Sequence, residues 1–191
     1  MRPNNSNKAS PADCIESNIA LSDIEQTQSI QMMRINHSGE ICAQALYQGQ
    51  AMFAKSNAQY QSLLTAAMEE NDHLHWCKQR LENLNGRTSW LNPLWYAGSF
   101  GIGMLAGVAG DQISLGFLAE TEKQVTRHLA SHLAQMSHKD QKSRAILQQM
   151  QQDEIQHATN AIQAGGVELP YTIRFLMRAT AKVLTITAAK I

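Results

Sequence analysis

Cysteine, proline and unbalanced charge are all scarce in this chain. Only Cys14, Cys42 and Cys77 occur in 191 residues, far apart and without a pairing rhythm. That spacing argues against a disulfide framework and for a reducing compartment. There are four prolines, and Pro93 stands alone between residues 12 and 169, so little interrupts a helix there. No segment shows the alternation of a convincing strand. Sixteen basic residues balance sixteen acidic ones, which argues against a nucleic-acid partner, since such proteins carry a strong basic excess. At 43% hydrophobic and 17% charged, the chain is too apolar to be disordered. Its length suits one domain with a real core. Residues 1–21, rich in Asn, Ser and Pro, hold no apolar run of secretory type. They are expected to be a flexible tail ahead of a domain spanning 22–191.

What is present is helix-forming. Four long segments rich in Ala, Gln, Leu, Met, Glu and Lys are expected as helices over 22–54, 57–85, 111–136 and 139–164. Ser22 with Glu25 makes a capping box at the first start, while Gly86 and Gly165-Gly166 make stops. Two other segments differ in character. Residues 88–110 contain no charge and five glycines between 98 and 110. That length would allow a membrane span, but Asn92, Pro93 and the glycines make it a poor one. Gly103 and Gly107 have the spacing of close helix packing, so a buried or interfacial helix is expected. Residues 168–191 place Arg174, Arg178 and Lys182 on one stripe of an amphipathic helix. This pattern suits a membrane surface, or equally a solvated stripe on a packed helix.

The chemistry lies in a quasi-repeat. Glu70-Asn71-Asp72-His73 and Glu154-Ile155-Gln156-His157 are both Glu-x-x-His, which puts carboxylate and imidazole on one helix face. Glu40 lies thirty residues before Glu70, and Glu122 thirty-two before Glu154. Each interval fits a helix, a turn and an antiparallel return, so the four segments meet at one level. An acidic residue precedes the paired glutamate each time, Glu69 and Asp153. One glutamate from each of two helices plus Glu-x-x-His from two others resembles the dinuclear sites of ferritin-like bundles. Four buried glutamates would be prohibitively costly as bare charges, whereas two divalent cations cancel them. Oxygen and nitrogen ligands suit iron or manganese, and zinc would also bind. Around this set, His37, Tyr47, His128 and Asp153 are candidates for orienting a ligand or carrying a proton or electron. For Tyr47, plain core packing is at least as good a reading. An iron store would need a polar outer surface, which residues 88–110 do not favour. A rubredoxin-type electron-transfer module would need Cys-x-x-Cys, which is absent from the sequence.

Arg34-Ile35-Asn36-His37-Ser38-Gly39-Glu40, followed by Ala43, Tyr47, Gly49 and Gln50, resembles the first-helix signature of the demethoxyubiquinone hydroxylases. Asn92-Pro93-Leu94-Trp95 leading into a glycine-rich helix is similar to that family's insertion. So are Glu122 with His128, and Asp153-Glu154 with His157. The resemblance runs from about residue 22 to the C-terminus. It implies an all-α, ferritin-like four-helix bundle with an inserted apolar helix and a basic C-terminal helix facing the membrane. It further implies two iron ions held by Glu40, Glu70, His73, Glu122, Glu154 and His157. The substrate would be a 2-polyprenyl-3-methyl-6-methoxy-1,4-benzoquinone or its quinol, hydroxylated on the ring with dioxygen as co-substrate. An external electron donor, NADH or reduced quinol, would be needed. The expected location is the cytoplasmic side of a bacterial inner membrane, as a peripheral protein. An oligomer, or association with other ubiquinone-biosynthesis proteins, is compatible. One departure is Leu129, where some relatives carry a tyrosine after the histidine, so no redox role of that tyrosine transfers.

Overall fold

The computed structural model describes residues 8–16 and 19–190, and within them the protein is all helix: α1 (Asp23–Ala51), α2 (Asn57–Asn83), α3 (Asn92–Val108), α4 (Asp111–Gln135), α5 (Gln141–Gln163) and α6 (Tyr171–Ala188). The helix ends follow local chemistry. Ser22 and Glu25 form the expected capping box, Glu25 accepting from the Ser22 amide at 2.8 Å and Ser22 accepting from the Glu25 amide at 3.4 Å. Ser56 and Asp140 cap α2 and α5 with a single bond each, accepting from the Gln59 and Ser143 amides; α1 ends at Ala51, and α5 starts two residues later than the sequence suggested. After α5 the backbone turns through Gly165 at φ 100°, a conformation that strains any side chain, and the Gly166 amide closes on the Ala161 carbonyl at 3.0 Å.

Short links make α1–α2 and α4–α5 two hairpins. α2 packs on α5 and α1 on α4, closing an all-α bundle of ferritin-like type. The core falls into two apolar clusters. One contains Met33, Trp76, Leu81, Leu129, Ile146 and Met150; the other contains Leu46, Tyr47, Leu63, Ala67, Leu118 and Ala161. Each cluster draws on all four bundle helices. The residues between them on each helix are the glutamates and histidines of the repeat, so a polar layer crosses the middle of the bundle. At one end, Arg80 of α2 meets Asp140 of α5 at 2.6 Å and donates to the Ser143 hydroxyl at 2.8 Å, pinning the hairpins together.

α3 lies against α1. A Cβ on Gly103 would stand 2.2 Å from the Leu46 carbonyl oxygen, and one on Gly49 2.4 Å from the Phe100 carbonyl oxygen. The two backbones therefore touch where any other residue would hold them apart, as the Gly103/Gly107 spacing led us to expect. The opposite face of α3 is open, with Leu94, Leu105 and Val108 exposed. No helix among the described residues is long and apolar enough to cross a membrane. α6 touches α1 and α4 lightly and leaves Tyr171, Phe175, Leu176, Val183 and Ile186 exposed.

One segment departs from expectation. Residues 8–14, expected as part of a flexible tail, are packed. Pro11–Cys14 form a 3₁₀ turn capped by Ser10, and Ala12 is buried in the first apolar cluster against α5. The cause is sequence-local: Ser10, Pro11 and Asp13 build a capping box at Pro, which folds the turn and presents a small apolar side chain. Residues 1–7 and 17–18 of the expected tail lie outside the described residues.

Candidate metal centre

The polar layer is assembled from four helices. α1 supplies Glu40, α2 Glu70 and His73, α4 Glu122, and α5 Glu154 and His157; all six are buried. They form two groups, Glu40–Glu70–His73–Glu154 and Glu70–Glu122–Glu154–His157, in each of which the donor atoms lie within 4.8 Å of one another. Glu70 and Glu154 belong to both. His73 presents Nδ1 inward, 3.1 Å from Glu154 Oε1, 3.3 Å from Glu70 Oε2 and 3.9 Å from Glu40 Oε2. His157 does likewise, its Nδ1 3.1 Å from Glu154 Oε2, 3.6 Å from Glu122 Oε1 and 3.8 Å from Glu70 Oε1.

Behind each imidazole stands a further carboxylate, and the pairs cross between hairpins. His73 Nε2 meets Asp153 Oδ2 of α5 at 3.2 Å, and His157 Nε2 meets Glu69 Oε2 of α2 at 2.5 Å. Each acid directly before a paired glutamate thus serves the histidine of the other hairpin. A carboxylate on Nε2 keeps a proton there, so in a neutral imidazole the Nδ1 lone pair would face the centre.

Electrostatics show what the layer can hold. Burial first, then the charges of Glu154 and Glu40, push the Glu70 carboxyl well above its ordinary value. Glu122 is pushed up to about 8, by burial first and then by Glu154. Burial pushes Glu154 the same way, yet hydrogen bonds from His157 and His73 hold it low. Burial also opposes charge on both histidines, but the surrounding carboxylates, Asp153 foremost at His73 and Glu122 foremost at His157, hold both imidazoles well above their ordinary value. Even so, Glu70 Oε1 and Glu122 Oε2 are buried with no hydrogen-bond partner. Orphaned carboxylate oxygens in a dry core are costly, and cations of charge +2 are the partners that fit them. The donor set, oxygen with two imidazole nitrogens and no thiolate, suits iron or manganese.

The remaining sequence candidates separate. Tyr47 is fully buried and donates its hydroxyl to Glu122 Oε1. Asp153 sits behind His73 as described. His37 does not reach the layer: its Nδ1 accepts from the Asn92 amide at 3.5 Å, and burial first, then Lys78, lower its pKa to about 4. His128 stacks edge-on against His132 with ring centroids 4.0 Å apart, and its Nε2 has no partner; it hydrogen-bonds none of the six. Cys77 is buried and Cys42 half-buried, with burial pushing the Cys42 thiol up to about 11. Neither joins the six. Two residues that touch the layer escaped the sequence candidates. Glu69 was visible as the counterpart of Asp153, and symmetry of the repeat would have found it. Trp76, whose ring lies 5.3 Å from that of His73, carried no signal beyond lying one helical turn further on.

Comparison with known proteins adds an independent line. The family described as "Ubiquinone biosynthesis protein COQ7" matches residues 27–188. A protein from Ralstonia pickettii named 3-demethoxyubiquinol 3-hydroxylase is 56% identical over 171 residues, 90% of this chain and 79% of that one. Proteins of the same name from Nitrosospira multiformis and Nitrosococcus oceani are similar too. The first is 55% identical over 168 residues, 88% of this chain and 81% of that one. The second is 54% identical over 187 residues, 98% of this chain and 87% of that one.

Proposed function

The chain belongs to the ubiquinone biosynthesis protein COQ7 family, and from that premise we propose that it hydroxylates the ring of demethoxyubiquinol with dioxygen at a pair of iron ions. It is a hydroxylase of ubiquinone biosynthesis, as its relatives are named. The observation that carries the metal reading is the pair of overlapping donor groups that share Glu70 and Glu154. In this reading the two ions would be held by Glu40, His73, Glu122 and His157 together with Glu70 and Glu154, which belong to both groups. The bound pair would supply the electrons that activate dioxygen for transfer of one oxygen atom to a ring carbon. The second oxygen atom would leave as water, the two electrons and two protons that this requires coming from an external donor, NADH or reduced quinol.

The chain's own residues hold this arrangement. Asp153 and Glu69 keep the Nε2 protons of His73 and His157, so both imidazoles offer Nδ1. The Tyr47 hydroxyl holds one oxygen of Glu122, leaving Oε2 for the ion. The two apolar clusters flank the layer and exclude water from it.

A polyprenyl quinone resides in the bilayer, and the exposed apolar side chains of α3 and α6 are the surface we assign to meeting it, with Arg178 and Lys182 toward anionic headgroups. A groove of about 440 Å³ between α1, α2 and the start of α3, lined by Ile41, Leu74, Pro93 and Tyr96 among others, is a place for the isoprenoid chain. The cytoplasmic face of a bacterial inner membrane is the location this implies.

Complementation tests the whole reading. A strain lacking the hydroxylase should regain ubiquinone when given this chain, and the purified protein should hold two irons per chain. Continued accumulation of the demethoxy intermediate despite soluble protein would sink the assignment.

A further inference from the structure

We propose that residues 8–14 are a strap that fixes one histidine of the metal centre, with Lys8 as the positioning residue for Asp153 and, through it, for His73. The proposal rests on reading the six buried residues as metal ligands. The contacts around Asp153 and Trp76 carry it. Asp153 Oδ2 lies 3.5 Å from Lys8 Nζ and 3.2 Å from His73 Nε2, so one oxygen is shared between the strap and the imidazole. The other oxygen, Oδ1, accepts from Gln149 at 2.9 Å. The Trp76 indole, tilted against the His73 ring, donates Nε1–H to the Lys8 carbonyl at 3.1 Å, and the Lys8 ammonium stands 6.0 Å over the same indole. The strap is anchored independently by its own turn, since Ser10 and Asp13 cap it and Ala12 is buried in the core. It therefore spans from Trp76 on α2 to Asp153 on α5, across the outer side of His73.

The ion pair itself adds little to stability, because the Lys8 side chain is 58% exposed and such pairs are screened. Its consequence is geometric. A carboxylate behind a ligating histidine sets the ring's tautomer and direction, and Lys8 restricts where that carboxylate rests. The equivalent carboxylate behind His157 is held more loosely: Glu69 is 51% exposed, His157 is its ion-pair partner among the described residues, and the Lys8 charge acts on it from beyond ion-pair distance. The strap thus makes the two imidazoles unequal, with His73 held on both sides and His157 on one.

Release of iron(II) from the loaded full-length protein into excess colour-forming chelator tests this. Two phases are expected, one per ion. Lys8→Ala should speed one phase about threefold and leave the other unchanged, below the ten- to hundredfold range of a direct outer partner. Lys8→Arg should restore the rate. Ala12→Asp, which puts a charge into the strap's buried anchor, should speed the same phase about tenfold. The melting temperature of the metal-free Lys8→Ala protein should stay at the wild-type value. Unchanged release in Lys8→Ala, equal acceleration of both phases, or acceleration that Lys8→Arg fails to reverse would each overturn the role of Lys8. A wild-type chain that takes up no iron would instead sink the metal reading beneath it.

Discussion

The hairpins α1–α2 and α4–α5 carry the same pattern, a glutamate and then an acid followed by Glu-x-x-His, yet their surroundings differ. The first is wrapped: α3 lies on α1 through bare glycines, and residues 8–14 cross its Trp76. Residues 8–14 also pack on α5 of the second, and exposed apolar side chains occur on both, Tyr60 and Met68 on α2 and Ile155 and Ile162 on α5. The interior differs as well. Seven residues past the first glutamate stands Tyr47 in one hairpin and Leu129 in the other. Tyr47 reaches across to Glu122, whereas Leu129 is packed in the opposite apolar cluster. What the hairpins share builds the polar layer, and what they do not share decides which side of it is tethered and which carries a phenol.

The sharpest way to break the comparison is to remove a glutamate that both halves use. Glu70→Ala or Glu154→Ala should empty both iron positions, while Glu40→Ala or Glu122→Ala should leave one partly filled. Hydroxylation should fall by more than about 100-fold in all four, beyond the range for outer partners. Metal analysis of the purified variants separates the two classes, and equal iron loss in all four would erase the distinction between shared and unshared ligands.

Next come the acids behind the histidines. Asp153→Asn should weaken iron binding about tenfold, and the more exposed Glu69→Gln about threefold, measured by chelator competition. A third effect belongs to the wrapped hairpin alone. Gly103→Ala places a Cβ 2.2 Å from the Leu46 carbonyl and should cost about 1–3 kcal/mol as overpacking. At Gly98, where a Cβ meets nothing within 4 Å, the same change should leave the melting temperature within a degree or two or raise it.

The smallest effect is a pH slope in the metal-free protein. Glu122 is pushed up to about 8 from 4.5, by burial and then by Glu154. The folded chain therefore holds a proton that the unfolded chain releases above its ordinary value. The stability this gives is complete below about 4.5 and is lost as pH rises through about 8. Melting temperatures should fall by a few degrees between pH 6 and 8; Glu70, His73 and His157, also held above their ordinary values, add to that slope, so Glu122→Gln should lessen it without abolishing it.

Much of this was legible in the residues. The quasi-repeat of Glu40, Glu70 and His73 with Glu122, Glu154 and His157 placed six side chains at one level because helix periodicity is a local rule. The Ser22–Glu25 cap was local too, and the Gly103/Gly107 spacing marked a close-packing face without naming α1 as its partner. What escaped was long-range. Asp153 serves His73 rather than His157, a crossing that depends on which helices neighbour each other. His37 and His128 share helices with Glu40 and Glu122 but face Asn92 and His132 instead, because side-chain direction follows the neighbouring element. The polar residues 8–14 read as tail because a single buried alanine leaves almost no apolar signature.

The glycine seam between α1 and α3 has a mechanical consequence. Where side chains separate two helices, their rotamers can absorb small shifts. Between Gly49, Gly103 and the facing backbone there is no such cushion, and close-packed interiors pass displacement on rather than damp it. α3 and α1 therefore move as one board. Pressure on the open face of α3 is delivered to the helix that carries Glu40 and Tyr47, without slack in between.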